Sequence, residues 1–290
     1  MTSEKLIVVL GPTASGKTEL GIRLAKKYDG EIICADSRTI YKDMDIGTAK
    51  PSKTQQAEVP HHLLDVVKPN ESFSVVKFKT LCLKSISQIR QKGKLPIIVG
   101  GSGLYLDSVL FDYSFRAKLG PDTSGYSDAE IVKLAKATYG EELMGVDSNN
   151  IRRVAQLLER GPSIAADRKA VKIACKIIGL ELEKPQLKQN IEMRTAQMLN
   201  NGFIQEVENV RSKYGADCAA LTTTGYKQVG EFLDGQLEES ELEAAIVSAT
   251  LKLAKKQMTW FRRNQAIAWA NSVDQAIRIA DDYMAQGLVQ

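Results

Sequence analysis

The chain has 290 residues, 43% hydrophobic and 26% charged, with a formal net charge of +4. That balance excludes a disordered tail and suffices for a full core, in one large domain or a domain with a small insert. The modest positive charge permits nucleic-acid binding without demanding it. Four scattered cysteines, Cys34, Cys82, Cys175 and Cys218, form no C-x-x-C pair or Cys/His cluster. They read as buried free thiols, not as a zinc site or a disulfide framework. The first residues lack a basic region followed by a long apolar core, and no run of about 20 apolar residues occurs. A cytoplasmic protein with no secretory leader and no membrane span is expected.

Leu6–Leu10 is an unbroken apolar run, as in a strand buried on both sheet faces. It enters Gly11–Thr18, and a helix is expected from there to about Tyr28. Glu31–Ala35 predicts a second strand, ending at Asp36-Ser37. Phe73–Lys92 has helical spacing, with Phe78, Leu81, Leu83, Ile86 and Ile89 expected on its inner face. Leu95–Val99 predicts a third strand, closing on Gly100-Gly101-Ser102-Gly103. Strand, loop and helix repeated in this way predict an α/β fold, a P-loop-type parallel sheet flanked by helices with right-handed crossovers.

The texture changes at about Tyr113, where Gly, Pro, Ser and Asp begin to cluster. Residues 113–150 are read as a small, mostly helical insert over the carboxyl edge of the sheet, dividing a core of residues 1–112 and 151–290. Asn149–Glu159 should be helical, with Arg152 and Arg153 on it, and Val171–Leu180 another core strand. Mostly helical sequence runs to about Arg263, before a late strand at Ala266–Ala270 and a final helix.

Gly11-Pro12-Thr13-Ala14-Ser15-Gly16-Lys17-Thr18 matches G-x-x-x-x-G-K-[ST] completely and sits between a strand and a helix, the context that gives this motif its meaning. Backbone N–H groups turned inward and a helix N-terminus make an anion site. Lys17 supplies a point charge to terminal phosphates, and the Thr18 hydroxyl is placed to bind Mg²⁺. The usual hydrolysis partner is missing, because the third strand ends in Gly-Gly where an acid would hold the metal. The second strand instead delivers Asp36 to its carboxyl end, in the crevice where open α/β sheets place their chemistry. Asp36 could bind Mg²⁺, act as general base, or merely cap a helix.

With Ala35-Asp36-Ser37, Met44-Asp45-Ile46-Gly47-Thr48-Ala49-Lys50-Pro51, Pro60–Asp65, Val99–Tyr105, Gly225–Gln228 and Ala254–Arg262 following in order, the chain resembles the tRNA dimethylallyltransferase (IPP transferase) family over nearly its whole length, in its short bacterial form. The resemblance implies transfer of a dimethylallyl group from dimethylallyl diphosphate to the exocyclic N6 amine of the adenosine 3′ of the anticodon, with Mg²⁺ and without hydrolysis machinery. It implies catalytic roles for Asp36, Thr13 and Lys17, with Asp36 orienting or deprotonating the amine and Thr13 near the leaving oxygen. It implies a diphosphate site at Gly11–Thr18 with Lys227, which stands where the family often has Arg. It further implies tRNA contacts from Asp36, Ser37, Arg38, Thr39, Ser102 and Gly103, and a monomeric enzyme.

Cations cluster in two segments, Arg152, Arg153, Arg160, Arg168, Lys169, Lys172 and Lys176, and then Lys252, Lys255, Lys256, Arg262 and Arg263. Each alone would pass for a solvated helix face; together with the resemblance they are read as contacts to tRNA phosphates, with Arg152, Arg153, Lys255, Lys256 and Arg262 foremost. Trp260 and Phe261 are read as core, and His61 and His62 as structural or edge-of-site. Gln156 and Leu251 replace cations usual in the family, and residues 113–150 are shorter than usual, which implies weaker binding of tRNA. Prenylation of a free adenine nucleotide, RNA binding without catalysis, and nucleotide kinase activity are the competing functions.

Overall fold

The computed structural model describes residues 4–113, 120–161 and 171–286. In chain order it contains β1 (Ile7–Leu10), α1 (Lys17–Lys27), β2 (Gly30–Cys34), α2 (Lys53–Glu58), β3 (His61–His62), α3 (Val75–Gln91), β4 (Leu95–Gly100), α4 (Gly103–Leu110), α5 (Asp128–Tyr139) and α6 (Ile151–Arg160). There follow β5 (Lys176–Leu180), α7 (Lys184–Asn200), α8 (Phe203–Tyr214), α9 (Tyr226–Leu233), α10 (Glu239–Phe261), β6 (Ile267–Ala270) and α11 (Val273–Ala285). The six strands form one sheet in the order β3-β2-β4-β1-β5-β6, and all pairings are parallel.

Parallel strands buried on both faces must be apolar throughout, and β1 and β4 are buried at every residue. Ile7, Val9, Ile32, Ile97, Val99 and Ile178 join Leu20 and Leu24 of α1 and Ala276 and Ala280 of α11 in one core cluster. A second cluster gathers Ile40, Tyr41 and Met44 under Phe203, Val207, Tyr226, Val229, Leu242 and Ile246 of α8, α9 and α10. The loop after β2 is therefore packed against helices that lie far away in sequence.

Several expectations change. The inner face of α3 is Phe78, Cys82, Ser85, Ile86 and Ile89, while Leu83 is exposed and Leu81 only partly buried. The true stripe follows a steady i, i+4, i+7, i+8, i+11 spacing, which a small cysteine and a serine satisfy as well as leucine. β5 is shorter than Val171–Leu180, beginning at Lys176. The two-residue β3 was not expected, because His61-His62 offers no apolar run; it adds to the sheet edge by pairing with Ile32 and Ile33.

The chain divides into two compact units, residues 1–112 with 171–290, and residues 113–170. The second extends past the expected boundary at 150, because Val154, Leu157 and Leu158 of α6 pack with Ile131 and Ala135 of α5. The opposite face of α6 leaves Arg152, Arg153 and Gln156 exposed. Among the described residues no helix is long and apolar enough to cross a membrane.

Candidate active site

The carboxyl ends of β1, β2 and β4 converge, because their residues run in parallel register from Ile7↔Ile97 to Leu10↔Gly100 and from Gly30↔Leu95 to Cys34↔Val99. Each strand hands its chain to a polar loop at this edge: Gly11–Gly16, Asp36–Thr39 and Gly101–Ser102. In the first loop Ala14 and Gly16 take positive φ of 62° and 88°, turning the backbone inward ahead of α1. Glycine at position 16 is required by that angle, since a side chain there would be strained.

Distant helices brace this loop. Asn190 of α7 donates to the Ala14 carbonyl at 3.1 Å, and Arg194, one turn on, donates to Thr13 Oγ1 at 2.6 Å. From α10, Gln257 Oε1 accepts the Thr13 N–H at 2.9 Å while its amide nitrogen donates to the Gly101 carbonyl at 3.0 Å. One side chain thereby ties the phosphate loop to the loop after β4. A Cβ at Gly103 would collide with the Trp260 indole, so glycine permits the close approach of α10. The Trp260 ring nitrogen donates to Asp107 at 2.9 Å.

The loop after β2 is fixed in the same way. The Asp36 carboxylate accepts the Arg38 N–H at 2.9 Å, and Ser102 Oγ accepts the Ser37 N–H at 2.9 Å. Asp36 does not cap a helix, since none begins within the following loop.

Two cavities open here. The smaller, about 270 Å³, is lined by Ala14, Gly16, Lys17, Thr18, Thr39, His61 and the apolar Ile32, Cys34 and Val99. The larger, about 400 Å³, is lined by Ser37, Arg38, Ser102, Tyr105, Met198, Phe203, Lys256, Gln257 and Trp260. Thr13, Asp36, Thr48 and Arg194 line both. Burial pulls the Lys17 ammonium down to about 8; the Asp36 carboxylate opposes this and the Arg194 guanidinium adds to it. Burial likewise lowers Arg194, with Asp36 opposing. The Tyr105 phenol is pushed up to about 12, chiefly by burial.

The structure thus brings together Thr13, Lys17, Thr18, Asp36, Ser37, Arg38, Thr39, Ser102, Gly103 and Lys256 around the paired cavities. Gly11 and Ser15 are buried within the loop. Lys227 lines neither cavity; it is exposed on α9 and pairs with Glu231 at 3.5 Å. Lys255 and Arg262 are exposed on or just beyond α10, with Arg262 paired to Glu181. Lys176, grouped above with the basic segment, pairs with Ile7 at the amino end of the sheet, opposite the cavities. Arg168 and Lys169 lie outside the described residues. Trp260 lines the larger cavity and Phe261 alone is fully core.

Arg194, Gln257 and Thr48 are site residues that sequence reasoning missed. Arg194 sits mid-helix in Glu192-Met193-Arg194-Thr195, where nothing marks it from a solvated arginine. Its one signal was position: Asn190 and Arg194 share a face by i, i+4 spacing.

The IPP transferase family model matches residues 39–264. The chain is 39% identical to the tRNA dimethylallyltransferase of Geobacillus kaustophilus, covering 94% of this chain and 92% of that protein. It is 37% identical to the enzyme of the same name from Anoxybacillus flavithermus, with the same coverage. Among solved structures, the tRNA isopentenylpyrophosphate transferase of Bacillus halodurans superposes with a TM-score of 0.76 at 32% identity, covering 97% of this chain and 96% of that one.

Proposed function

Since the chain belongs to the IPP transferase family, we propose that it transfers a dimethylallyl group from dimethylallyl diphosphate to the N6 amine of the adenosine 3′ of the anticodon in tRNA. The observation that carries this reading is the meeting of two cavities at Thr13, Asp36, Thr48 and Arg194. A hydrolase needs one anion site and a water; a group transferase needs donor and acceptor sites that touch where the bond is exchanged.

The diphosphate belongs in the smaller cavity, on the backbone of Gly11–Gly16 with Lys17. Arg194, already bonded to Thr13, supplies the second cation, the role first given to Lys227. The acceptor base enters the larger cavity, whose lining includes Tyr105, Phe203 and Trp260 with Ser37 and Gln257. An unpaired loop base reaches such a pocket at least cost. At the junction the amine nitrogen attacks the first carbon of the prenyl chain as the carbon–oxygen bond breaks. The bond electrons leave on the diphosphate, held by Lys17 and Arg194, and the amine proton passes to Asp36.

Magnesium fits this donor set. The Thr18 hydroxyl and Asp36 carboxylate offer oxygen, and Thr39 Oγ1 is buried in the same cavity without a hydrogen-bond partner. Mg²⁺ takes few protein oxygens and relies on phosphates and water; when bound it would add positive charge to the diphosphate. Arg152 and Arg153 on the second unit, Lys255 and Lys256 on α10 and Arg262 just beyond it are assigned to tRNA phosphates. The chain is read as a monomer working where tRNA is found, in the cytoplasm. The test is incubation with labelled dimethylallyl diphosphate and an anticodon stem-loop, alongside AMP and ATP, followed by nucleoside analysis. Equal prenylation of AMP would replace the tRNA assignment, and no label in any acceptor would remove transferase activity.

A further inference from the structure

The loop between β2 and α2 contributes Gly47 to the larger cavity and Thr48 to both, yet it has no regular secondary structure to hold it. Its backbone amides converge instead on one carboxylate. Glu206 of α8 accepts the N–H groups of Asp45 and Ile46 on Oε2, each at 2.7 Å, and the N–H of Gly47 on Oε1 at 3.0 Å. The same Oε1 accepts the Tyr226 hydroxyl at 2.6 Å. Three successive amides aimed at one anion form a concave nest of the kind that binds phosphate elsewhere, here filled by a side chain.

The surroundings keep this arrangement from slipping. Tyr226 is fully buried, and burial, with the neighbouring Glu206 charge, holds its phenol well above its ordinary range, so it stays a donor. A Cβ at Gly47 would strike both the Phe203 ring and the Tyr226 ring. From the other end of the loop, buried Lys50 donates to Asp45 at 2.5 Å, to Asp65 at 2.6 Å and to the Tyr41 carbonyl at 2.8 Å. The loop is therefore pinned at both ends, and the Glu206 end is the one that sets Gly47 against the larger cavity.

We propose that Glu206 is a positioning residue for the acceptor: it touches no reacting atom, and it fixes the backbone of Asp45–Gly47 so that Gly47 and Thr48 form the wall against which the acceptor base seats. This rests on the reading of the larger cavity as the acceptor site. Glu206→Gln keeps the length of the side chain but replaces one acceptor oxygen by a donor, which faces an N–H it cannot satisfy. Hydrogen bonds to charged groups are among the stronger ones and are expensive to leave half-made.

The experiment measures KM for the anticodon stem-loop and for dimethylallyl diphosphate separately, together with amide hydrogen exchange at Asp45–Gly47. In the wild type these three amides should exchange slowly despite lying in a surface loop; fast exchange overturns the inference without needing any variant. In Glu206→Gln the same amides should exchange faster and the stem-loop KM should rise roughly ten-fold, while the diphosphate KM stays within about two-fold. An unchanged stem-loop KM, or an equal rise for both substrates, overturns it. Tyr226→Phe removes only the phenol bond and leaves the three amide bonds, so it should stay within about three-fold of wild type. A loss as large as that of Glu206→Gln would assign the effect to packing around Tyr226 and overturn the inference. If wild type fails to prenylate RNA, the acceptor reading falls, and with it the role proposed here, while slow amide exchange would still identify the Glu206 clamp as structural.

Discussion

Replacing Arg194 by Ala should separate catalysis from folding more sharply than any other substitution in the site. Its guanidinium donates to Thr13 Oγ1 at 2.6 Å, on the line where the two cavities meet. A preorganised donor aimed at charge that develops on a leaving group contributes about 3–4 kcal/mol, so turnover should fall by roughly 10²–10³. Stability should change far less. The lost bond to Thr13 costs on the order of 1–2 kcal/mol, but burial already disfavours the charged guanidinium, and its removal relieves that penalty. Arg194→Lys keeps a point charge without the planar fork and should fall between the two. A second signature follows from electrostatics. Arg194 helps to lower the Lys17 ammonium, so without it the alkaline limb of the rate profile should move to higher pH. Single-turnover rates with labelled dimethylallyl diphosphate across neutral and alkaline pH, beside thermal melts, read both effects. Turnover within about three-fold of wild type, with the alkaline limb unmoved, would refute the placement of Arg194 on the diphosphate.

In the wild type, Lys17 titrates at about 8 rather than its ordinary 10.5. Capture of the diphosphate needs its proton, so kcat/KM should fall as pH rises through about 8. Between those values the unfolded chain holds a proton that the native state has released, so global stability should rise with pH over the window where activity declines. Asp36→Asn should lower kcat more than stem-loop affinity, and it should pull the alkaline limb lower still, because the carboxylate is what holds Lys17 up; loss of RNA affinity alone would make Asp36 a recognition residue. Gln257→Leu leaves the Thr13 N–H and the Gly101 carbonyl without their partner. It should cost about 1–3 kcal/mol, read as a lower Tm, and raise the diphosphate KM; an unchanged Tm would remove the bridge between the loops from the account. Substituting Lys255, Lys256 and Arg262 by Ala should weaken stem-loop binding and flatten its salt dependence by about one log–log unit for each phosphate that is no longer neutralised. Lys256→Ala alone should account for most of this, since only it lines the larger cavity and Arg262 is engaged with Glu181; equal effects from all three would place the RNA elsewhere on α10.

The sequence by itself determined the Gly11–Thr18 half of the candidate site. A buried apolar strand, a Gly-rich turn and a following helix are encoded within about 20 consecutive residues, and local physics suffices to read them: both-face burial demands continuous apolar character, and the turn is specified by Gly16 at a positive φ. Asp36 was legible for the same reason, because the end of an apolar run marks the carboxyl edge of the sheet. Only the tertiary structure decided what surrounds them. Arg194 and Gln257 lie on α7 and α10, on helices whose pattern says only which face is buried. Which loop that face meets depends on how the second core packs Met198, Phe203 and Ile246 beneath the loop after β2. The same dependence left Lys227 outside both cavities and set Arg194 on both, since a positive charge in sequence has no address until a helix is docked. It also hid Glu206, whose partners are backbone amides 159–161 residues away. Backbone N–H groups are the same at every position, so no pattern of side chains could have announced that three of them would turn toward one carboxylate.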